Sequence, residues 1–491
     1  MNKKVYKFIS ESGREIVATE DHPFYTKKGW LDGKHLSLGE YVAVYPTLQP
    51  LKQPELPTKE LGFTIVDKKD IISLAPHRHK HYMKELHTRE LLPLTVNNYK
   101  IEIIARLLGH LFSDGHCGKY NLEFYCGSEE DAKTIARDIS LLGFEASKIR
   151  KKHSQITFNG RITNYTTYTL TKGGALHTLL VAAGAPVGKK TDTKVEVPYW
   201  IKKTETSVKR EFLAALLGGD GPKPRAQKRS ERKSGSKVKI DSLLFHKNAI
   251  VKESGIQFSH SLKELFEEFD VDVIKMKVKE DYVRKDGSLM FKIELVFGKS
   301  QSNIQNILTK IGYRYCQEKE IQANTIGEWL RIRENAINER NSLKEKVQKL
   351  YNEGMTPKQI TKILGINYRT TQAWIFEKER YKETRLTQRM LPTYQEWFAK
   401  VKIGDTGAVF EKIISKEKED LDDVRDFTTV EDTHSFIANG FITHNCPIET
   451  PEGTPIGLRK NQALLCQVTQ EEVAEDKLKR SLENLGVRLV K

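Results

Sequence analysis

The sequence predicts a multi-domain protein: an all-β domain built from both chain ends, an internally duplicated α/β domain inserted into it, and a small helical module. Three observations predict this. At 491 residues the chain exceeds what one hydrophobic core organises. Both ends carry short β-rich runs broken by turns, whereas the centre carries helical periodicity. The centre also repeats itself, with an apolar helix ending in Asp-Gly at Asp114 and again at Asp220.

The first β-rich segment is taken as residues 1–95. Within it, Val5 to Ile9, a Ser12-Gly13 turn and Glu15 to Ala18 read as a hairpin. The duplicated domain is taken as residues 96–325. Ile101, Ile104, Leu107, Leu108 and Leu111 form one helix face that stops at Asp114-Gly115. Next come a strand at Leu122 to Tyr125, a helix at Glu129 to Leu142, and paired strands around Ile156 and Tyr168. An apolar helix at Leu179 to Gly184 closes the repeat. The second copy runs from the helix Phe212 to Leu217, ending at Asp220-Gly221, to a strand at Ile256 to Phe258 and a helix at Leu262 to Phe269. Strands around Ile274 and Phe291 and a helix at Ile307 to Gly312 complete it. This is an internal duplication with pseudo-two-fold symmetry. The insertion Pro222 to Lys239 carries Lys223, Arg225, Lys228, Arg229, Arg232 and Lys233. Such a run is ordinarily a solvated loop, but beside the Asp-Gly ends it also reads as a phosphate-contacting arm.

Residues 340–380 change character. Val347, Leu350 and Tyr351 line a short helix that Gly354 ends. Thr356-Pro357-Lys358-Gln359 is a capping box with proline at the first helical position. Ile360, Ile363 and Leu364 line the helix that follows, Gly365 turns the chain, and Asn367 caps a third helix. This is helix-turn-helix spacing, with Arg369 and Gln372 placed to contact DNA; a plain three-helix packing module is the other reading. Strands return over residues 390–445.

Lys and Arg number 81 against 65 Asp and Glu, a formal net charge of +16, which favours a polyanion partner, with double-stranded DNA first. The five cysteines include no CxxC pair, so neither a zinc framework nor a redox dithiol is indicated, and their sparseness fits a reducing compartment. No apolar run approaches the roughly 20 residues that span a bilayer. A soluble, cytoplasmic protein without a membrane partner is expected.

The tetrapeptide Thr443-His444-Asn445-Cys446 carries specific chemistry. An asparagine amide can attack its own main-chain carbonyl and cleave the following peptide bond. A preceding histidine can protonate the leaving amine, and a following cysteine can capture an acyl group as a thioester. With Val424 to Phe441 before it, this segment resembles the C-terminal splicing motif of inteins. The resemblance makes His444, Asn445 and Cys446 the catalytic triplet and Asp426 and His434 auxiliary acid-base groups. Thr19-Glu20-Asp21-His22-Pro23 resembles the intein motif in which Thr19 and His22 would activate the upstream scissile bond. The family's Cys or Ser nucleophile stands well upstream of that motif, and Thr19 follows Met1 too closely to allow it. Either a second polypeptide supplies that segment, or the chain is a fragment or a mis-started frame.

Leu107 to Gly115 and Leu213 to Gly221 resemble the paired motifs of LAGLIDADG homing endonucleases. The resemblance implies two helices packed through Gly109, Ser113, Ala215 and Gly219, with Asp114 and Asp220 side by side as ligands for Mg²⁺. Pro186 to Lys190 resembles the segment that supplies a basic catalytic residue, assigned to Lys190 with Lys189 adjacent. Tyr313 and Tyr315 fall in the family's closing segment, and His110 is unusual at a helix interface. Finally, Cys446 to Asn461 resembles a signature of the large β-type subunit of archaeal DNA-directed RNA polymerase, which makes residues 446–491 a host fragment and other polymerase subunits its partners after splicing. Two further readings remain open: a DNA-binding regulator with a decayed nuclease, and a polymerase subunit whose inserted domain stays in place.

Overall fold

The structure is a computed structural model that describes residues 4–46, 62–158, 161–228, 236–376, 392–420 and 435–444. The chain divides into two units: residues 1–47, 226–237 and 325–491 in one, and residues 48–225 and 238–324 in the other.

In the first unit, both ends of the chain enter one eight-stranded sheet. Its order is Ser435–Ala438, Phe441–His444, Pro23–Thr26, Tyr41–Val44, Val409–Glu419, Val5–Ser10 and Glu15–Thr19, with Gly29–Asp32 added on Pro23–Thr26. The strand Val409–Glu419 holds this arrangement together. Its start pairs Val409 with Val44, and its end pairs Glu419 with Val5, both antiparallel. Period-two alternation buries Val409, Glu411 and Ile413 on one face. Phe8, Phe24 and Phe441 form the aromatic core, with Phe8 and Phe24 edge-to-face at 5.1 Å between ring centroids.

The helical part of this unit differs from expectation in length. The short helix read around Val347 is the end of a 36-residue helix, Gln317–Asn352, whose first residues belong to the other unit. The segment has no proline and one glycine, Gly327, so nothing stops it before Gly354. Beyond the turn, Thr356 and Gln359 form the capping box of Pro357–Leu364, and Gly365 closes that helix in the left-handed region at φ 64°. Ile360 and Thr371 are fully buried where this helix meets Tyr368–Phe376, and the Thr361 and Thr371 hydroxyls lie 2.9 Å apart.

The second unit contains two α/β halves. One has a four-stranded sheet, Arg150–Phe158, Arg161–Gly173, Asn121–Cys126 and His116–Cys117, with helix Glu129–Leu141 packed on it. The other has the order Leu243–Asn248, Leu289–Phe297, Val273–Val283, with helix Lys252–Glu267 packed on it. Here one expectation is corrected: Ile256 to Phe258 is helical, and the strand of this half is Leu243–Asn248. Phe258, Leu262, Leu265 and Phe266 are buried at helical spacing, and Gly255 stands in the first turn where a Cβ would come 2.6 Å from Lys247 Cγ. Residues 62–95 also fall in this unit. Helices Lys68–Leu74 and His79–Thr88 pack against Ala175–Ala182, and Thr64–Val66 pairs with Leu94–Thr95. No helix among the described residues is long and apolar enough to cross a membrane.

Candidate functional site

Two groups of sequence-predicted residues are brought together, one in each unit. In the first unit, Thr19 ends the strand Glu15–Thr19, and the His22 amide donates to its carbonyl at 3.1 Å. The His22 ring packs edge-on against Phe24 and Phe436, with centroids at 5.4 and 6.1 Å. His444 ends the strand Phe441–His444 and meets the Trp30 ring at 5.1 Å. Thr443 is registered opposite Phe24, so antiparallel pairing sets His444 beside Pro23, one residue from His22. Segments distant in sequence thus become neighbouring strands, with the His22 ring on the side of Phe24 and Phe436 and the His444 ring beside Trp30. Asp426, His434, Asn445 and Cys446 lie outside the described residues.

In the second unit, the helices Ile101–Phe112 and Thr206–Gly219 pack together at backbone distance. A Cβ on Gly109 would lie 2.2 Å from the Phe212 carbonyl oxygen, and one on Gly219 would lie 2.3 Å from Ser113 Oγ. Only hydrogen in these places lets the helices meet. Asp114 and Asp220 follow the two helix ends, each with an exposed face. The protein packed behind them removes water, so both carboxyls titrate above their ordinary range. Asp220 is pushed up to about 6, first by that burial and then by the charge of Asp114.

Lys190 reaches the end of the first helix. Its ammonium donates to the carbonyls of Leu111 at 3.2 Å and Gly115 at 2.7 Å, and to that of Ser113. A second lysine, not read from the sequence, does the same at the other helix. Lys319 donates to the carbonyls of Leu217, Gly218 and Gly219 at 3.3, 2.7 and 2.6 Å. These carbonyls are the unpaired acceptors at a helix C-terminus, where cations are favoured. Burial lowers the pKa of both lysines, and both carboxylates oppose that. The duplication itself was the available signal for Lys319: each repeat closes with an apolar helix followed shortly by a lysine. His110 is buried between Phe124 and Tyr315, and burial followed by the Lys190 charge pushes its pKa down to about 3. It is a neutral packing residue at ordinary pH.

The basic arm is only partly described. Lys223 pairs with Glu318 and Arg225 with Asp241, both at the surface, where such pairs are worth roughly 0–1 kcal/mol and exchange readily. Lys228 ends the strand Arg225–Lys228, its side chain outside the described residues, as are Arg229, Arg232 and Lys233. Arg369 and Gln372 are exposed, three positions apart on Tyr368–Phe376, hence on one face. Among the described residues no three His, Cys, Asp or Glu side chains cluster as a metal cage.

Comparison with known proteins bears on the family of the chain. The intein splicing domain family matches residues 1–445, and RNA polymerase Rpb2, domain 3, matches residues 438–468. The chain is 33% identical over 460 residues to the DNA-directed RNA polymerase subunit Rpo1N of Methanocaldococcus jannaschii, a match covering 91% of this chain and 30% of that protein. It is 30% identical over 454 residues to the tRNA-splicing ligase RtcB of Pyrococcus furiosus, covering 90% and 44% respectively. It is 24% identical over 503 residues to the DNA-directed RNA polymerase III subunit rpc2 of Dictyostelium discoideum, covering 99% and 28%. The chain therefore spans less than half the length of each of these relatives. The chain belongs to the intein splicing domain family, with a segment matching RNA polymerase Rpb2 domain 3 at its C-terminal end.

Proposed function

We propose that this chain is an intein that excises itself at the Asn445–Cys446 bond from an RNA polymerase large subunit, and that its duplicated unit is a LAGLIDADG-type DNA endonuclease. The observation that carries the splicing reading is the family match ending at Asn445, where the His444-Asn445-Cys446 triplet lies. The relatives support it too. Nine-tenths of the chain aligns with proteins named as a polymerase subunit and a tRNA ligase, so what they share is neither of those activities. In the proposed reaction the Asn445 side-chain nitrogen attacks its own carbonyl carbon, and the bond to the Cys446 nitrogen breaks. His444 delivers the proton that the departing amine needs, and a succinimide remains. Before that release, the Cys446 thiolate attacks the thioester or ester that links the upstream acyl group to an upstream Cys or Ser; that bond breaks, the upstream side chain leaves as a thiol or hydroxyl, and the acyl group becomes a thioester on Cys446. Asp426 and His434 are assigned auxiliary proton transfer, and Thr19 and His22 polarisation of the upstream bond.

The nuclease reading rests on Asp114 and Asp220 at abutting helix ends, each with a lysine folded back on it. Two carboxylates that repel one another, with solvent on one side, suit a divalent cation that completes its shell with water and phosphate oxygens. Asp114 and Asp220 would hold Mg²⁺, which would supply an activated water and charge neutralisation at the phosphate. Lys190 and Lys319 would stabilise the negative charge that develops during cleavage. The basic arm and the exposed Arg369 and Gln372 would contact double-stranded DNA, with affinity falling steeply as salt rises.

Incubating the protein and weighing its products tests the splicing reading. A fragment of residues 446–491 should appear, and Asn445→Ala should abolish it; release persisting in that variant would sink the mechanism. For the nuclease, Asp114→Asn and Asp220→Asn should each abolish Mg²⁺-dependent cutting of DNA that carries the uninterrupted polymerase gene. Normal cutting by both variants would refute the paired-carboxylate site.

A further inference from the structure

The loop that carries Lys190 follows the first repeat, whose Cys117 carbonyl accepts from the Gly188 amide at 2.8 Å, yet its further fastenings come from the second. Lys247, on the strand Leu243–Asn248, is only 3% exposed, and its ammonium donates to the carbonyls of Lys190 at 2.5 Å and Thr193 at 3.2 Å. Beside it, the Asn248 amide donates to the Thr191 carbonyl at 2.9 Å, and the Asn248 side chain to the Asp192 carboxylate at 3.1 Å. Arg284 donates to the same carboxylate at 2.5 Å and to the Thr191 hydroxyl at 2.7 Å. Ser254 Oγ closes the loop, accepting from the Val195 amide at 2.9 Å and donating to the Val195 carbonyl at 3.0 Å.

Lysine is a poor choice for a buried strand position on stability grounds alone, because its charge must be hydrogen-bonded to be tolerated there. The stem of Lys247 is packed under Gly255. An unbranched apolar residue would fill that space without the burden of a charge. What such a residue would lose is the grip on the Lys190 loop. The segment before Lys319 is held by other groups: the Gln317 amide donates to the Asp131 carboxylate at 2.7 Å and the Tyr315 hydroxyl to that of Asp138 at 2.5 Å, so Lys247 and Arg284 serve the Lys190 loop and not this one.

We propose that Lys247, with Arg284 as a second fastening, is a positioning residue that holds the Lys190 ammonium at the end of the first helix, so that the second repeat governs one of the two half-sites. The inference rests on the nuclease reading above. Two carboxylates and two lysines related by pseudo-symmetry divide between the two strands of a duplex. Loosening the Lys190 loop then slows the cut on one strand and leaves the strand served by Lys319 unaffected.

The test uses the full chain, supercoiled plasmid carrying the uninterrupted polymerase gene segment, and Mg²⁺. In Lys247→Met, which keeps the packed stem, and in Arg284→Met, one cut should slow by about 100-fold, the scale of a misplacement near 1 Å. Nicked circles should accumulate, while the DNA concentration for half-maximal rate stays unchanged. Equal slowing of both cuts, or weaker DNA binding at an unchanged rate, would overturn the proposal. A second measurement is independent of cutting. Hydrogen exchange at the amides of Asp192, Thr193, Val195 and Asn248 should accelerate in both variants while helix Lys252–Glu267 stays protected. Unchanged exchange there overturns the positioning role. If the unmodified protein cuts no DNA, the nuclease reading fails, and the exchange result alone decides the role of Lys247.

Discussion

Arg14, Glu328 and Glu411 meet in the first unit from three distant stretches of chain, at 7%, 3% and 0% exposure. Arg14 pairs with Glu328, its Nε lies 3.8 Å from Glu411, and the Ser12 hydroxyl donates to Glu411 at 2.6 Å. Burial first, then the neighbouring Glu328, push the Glu411 carboxyl up to about 8. Burial would raise Glu328 as well, but Arg14 and Arg331 outweigh it and hold that carboxyl below its ordinary range. The sign follows from linkage. Glu411 binds its proton more tightly folded than unfolded, so the stabilisation is complete below the ordinary carboxylate pKa and lost as pH rises through about 8. Thermal melts should therefore show the protein weakening as pH rises from mildly acidic to about 8 and levelling off above it, with Glu411→Gln flattening that slope; an unaltered slope in the variant would refute the assignment. Arg14→Met strands two buried carboxyls and should destabilise the unit by about 3–5 kcal/mol in denaturant titrations. Local sequence announced none of this, since Glu411 reads as an ordinary polar residue in a strand. Its burial follows from its inward register between Val409 and Ile413.

At the scale of elements, the close pair Ile101–Phe112 and Thr206–Gly219 depends on glycine at the contact. The Cβ of Gly109→Ala would meet a main-chain carbonyl, which has no rotamer by which to move aside. That variant should lose about 1–3 kcal/mol, the ordinary cost of overpacking, and should lower cutting by shifting Asp114 relative to Asp220. Gly127→Ala is the control, because nothing lies within 4 Å of a Cβ there. Equal melting temperatures for the two variants would show that the helices do not depend on that approach. The small residues at this contact were legible in the sequence because close packing restricts residue type. The first half of helix Lys252–Glu267 was not, because Ile256 to Phe258 reads locally as a strand until the helix is seen to pack on Leu243–Asn248.

At the scale of the molecule, the two proposed chemistries use separate residues, one set drawn from the chain ends and one from the duplicated centre. Asp114→Asn and Asp220→Asn should therefore leave the release of residues 446–491 intact, and Asn445→Ala should leave DNA cutting intact. Loss of both activities in any one variant would argue for a shared site. The sequence by itself determined the features built from neighbouring residues: the His444-Asn445-Cys446 triplet, the capping box at Thr356 and the Asp-Gly helix ends. Such chemistry and such caps act over one to four residues, so the order of the chain records them. It also determined that the centre is duplicated, because repetition is a property of order. Only the tertiary structure decided that Lys319 mirrors Lys190, that the second repeat grips the first repeat's loop through Lys247, and that Glu411 is buried against Glu328. These depend on which distant residues meet when the sheets and helices close, and no local preference of a lysine or a glutamate encodes its partner.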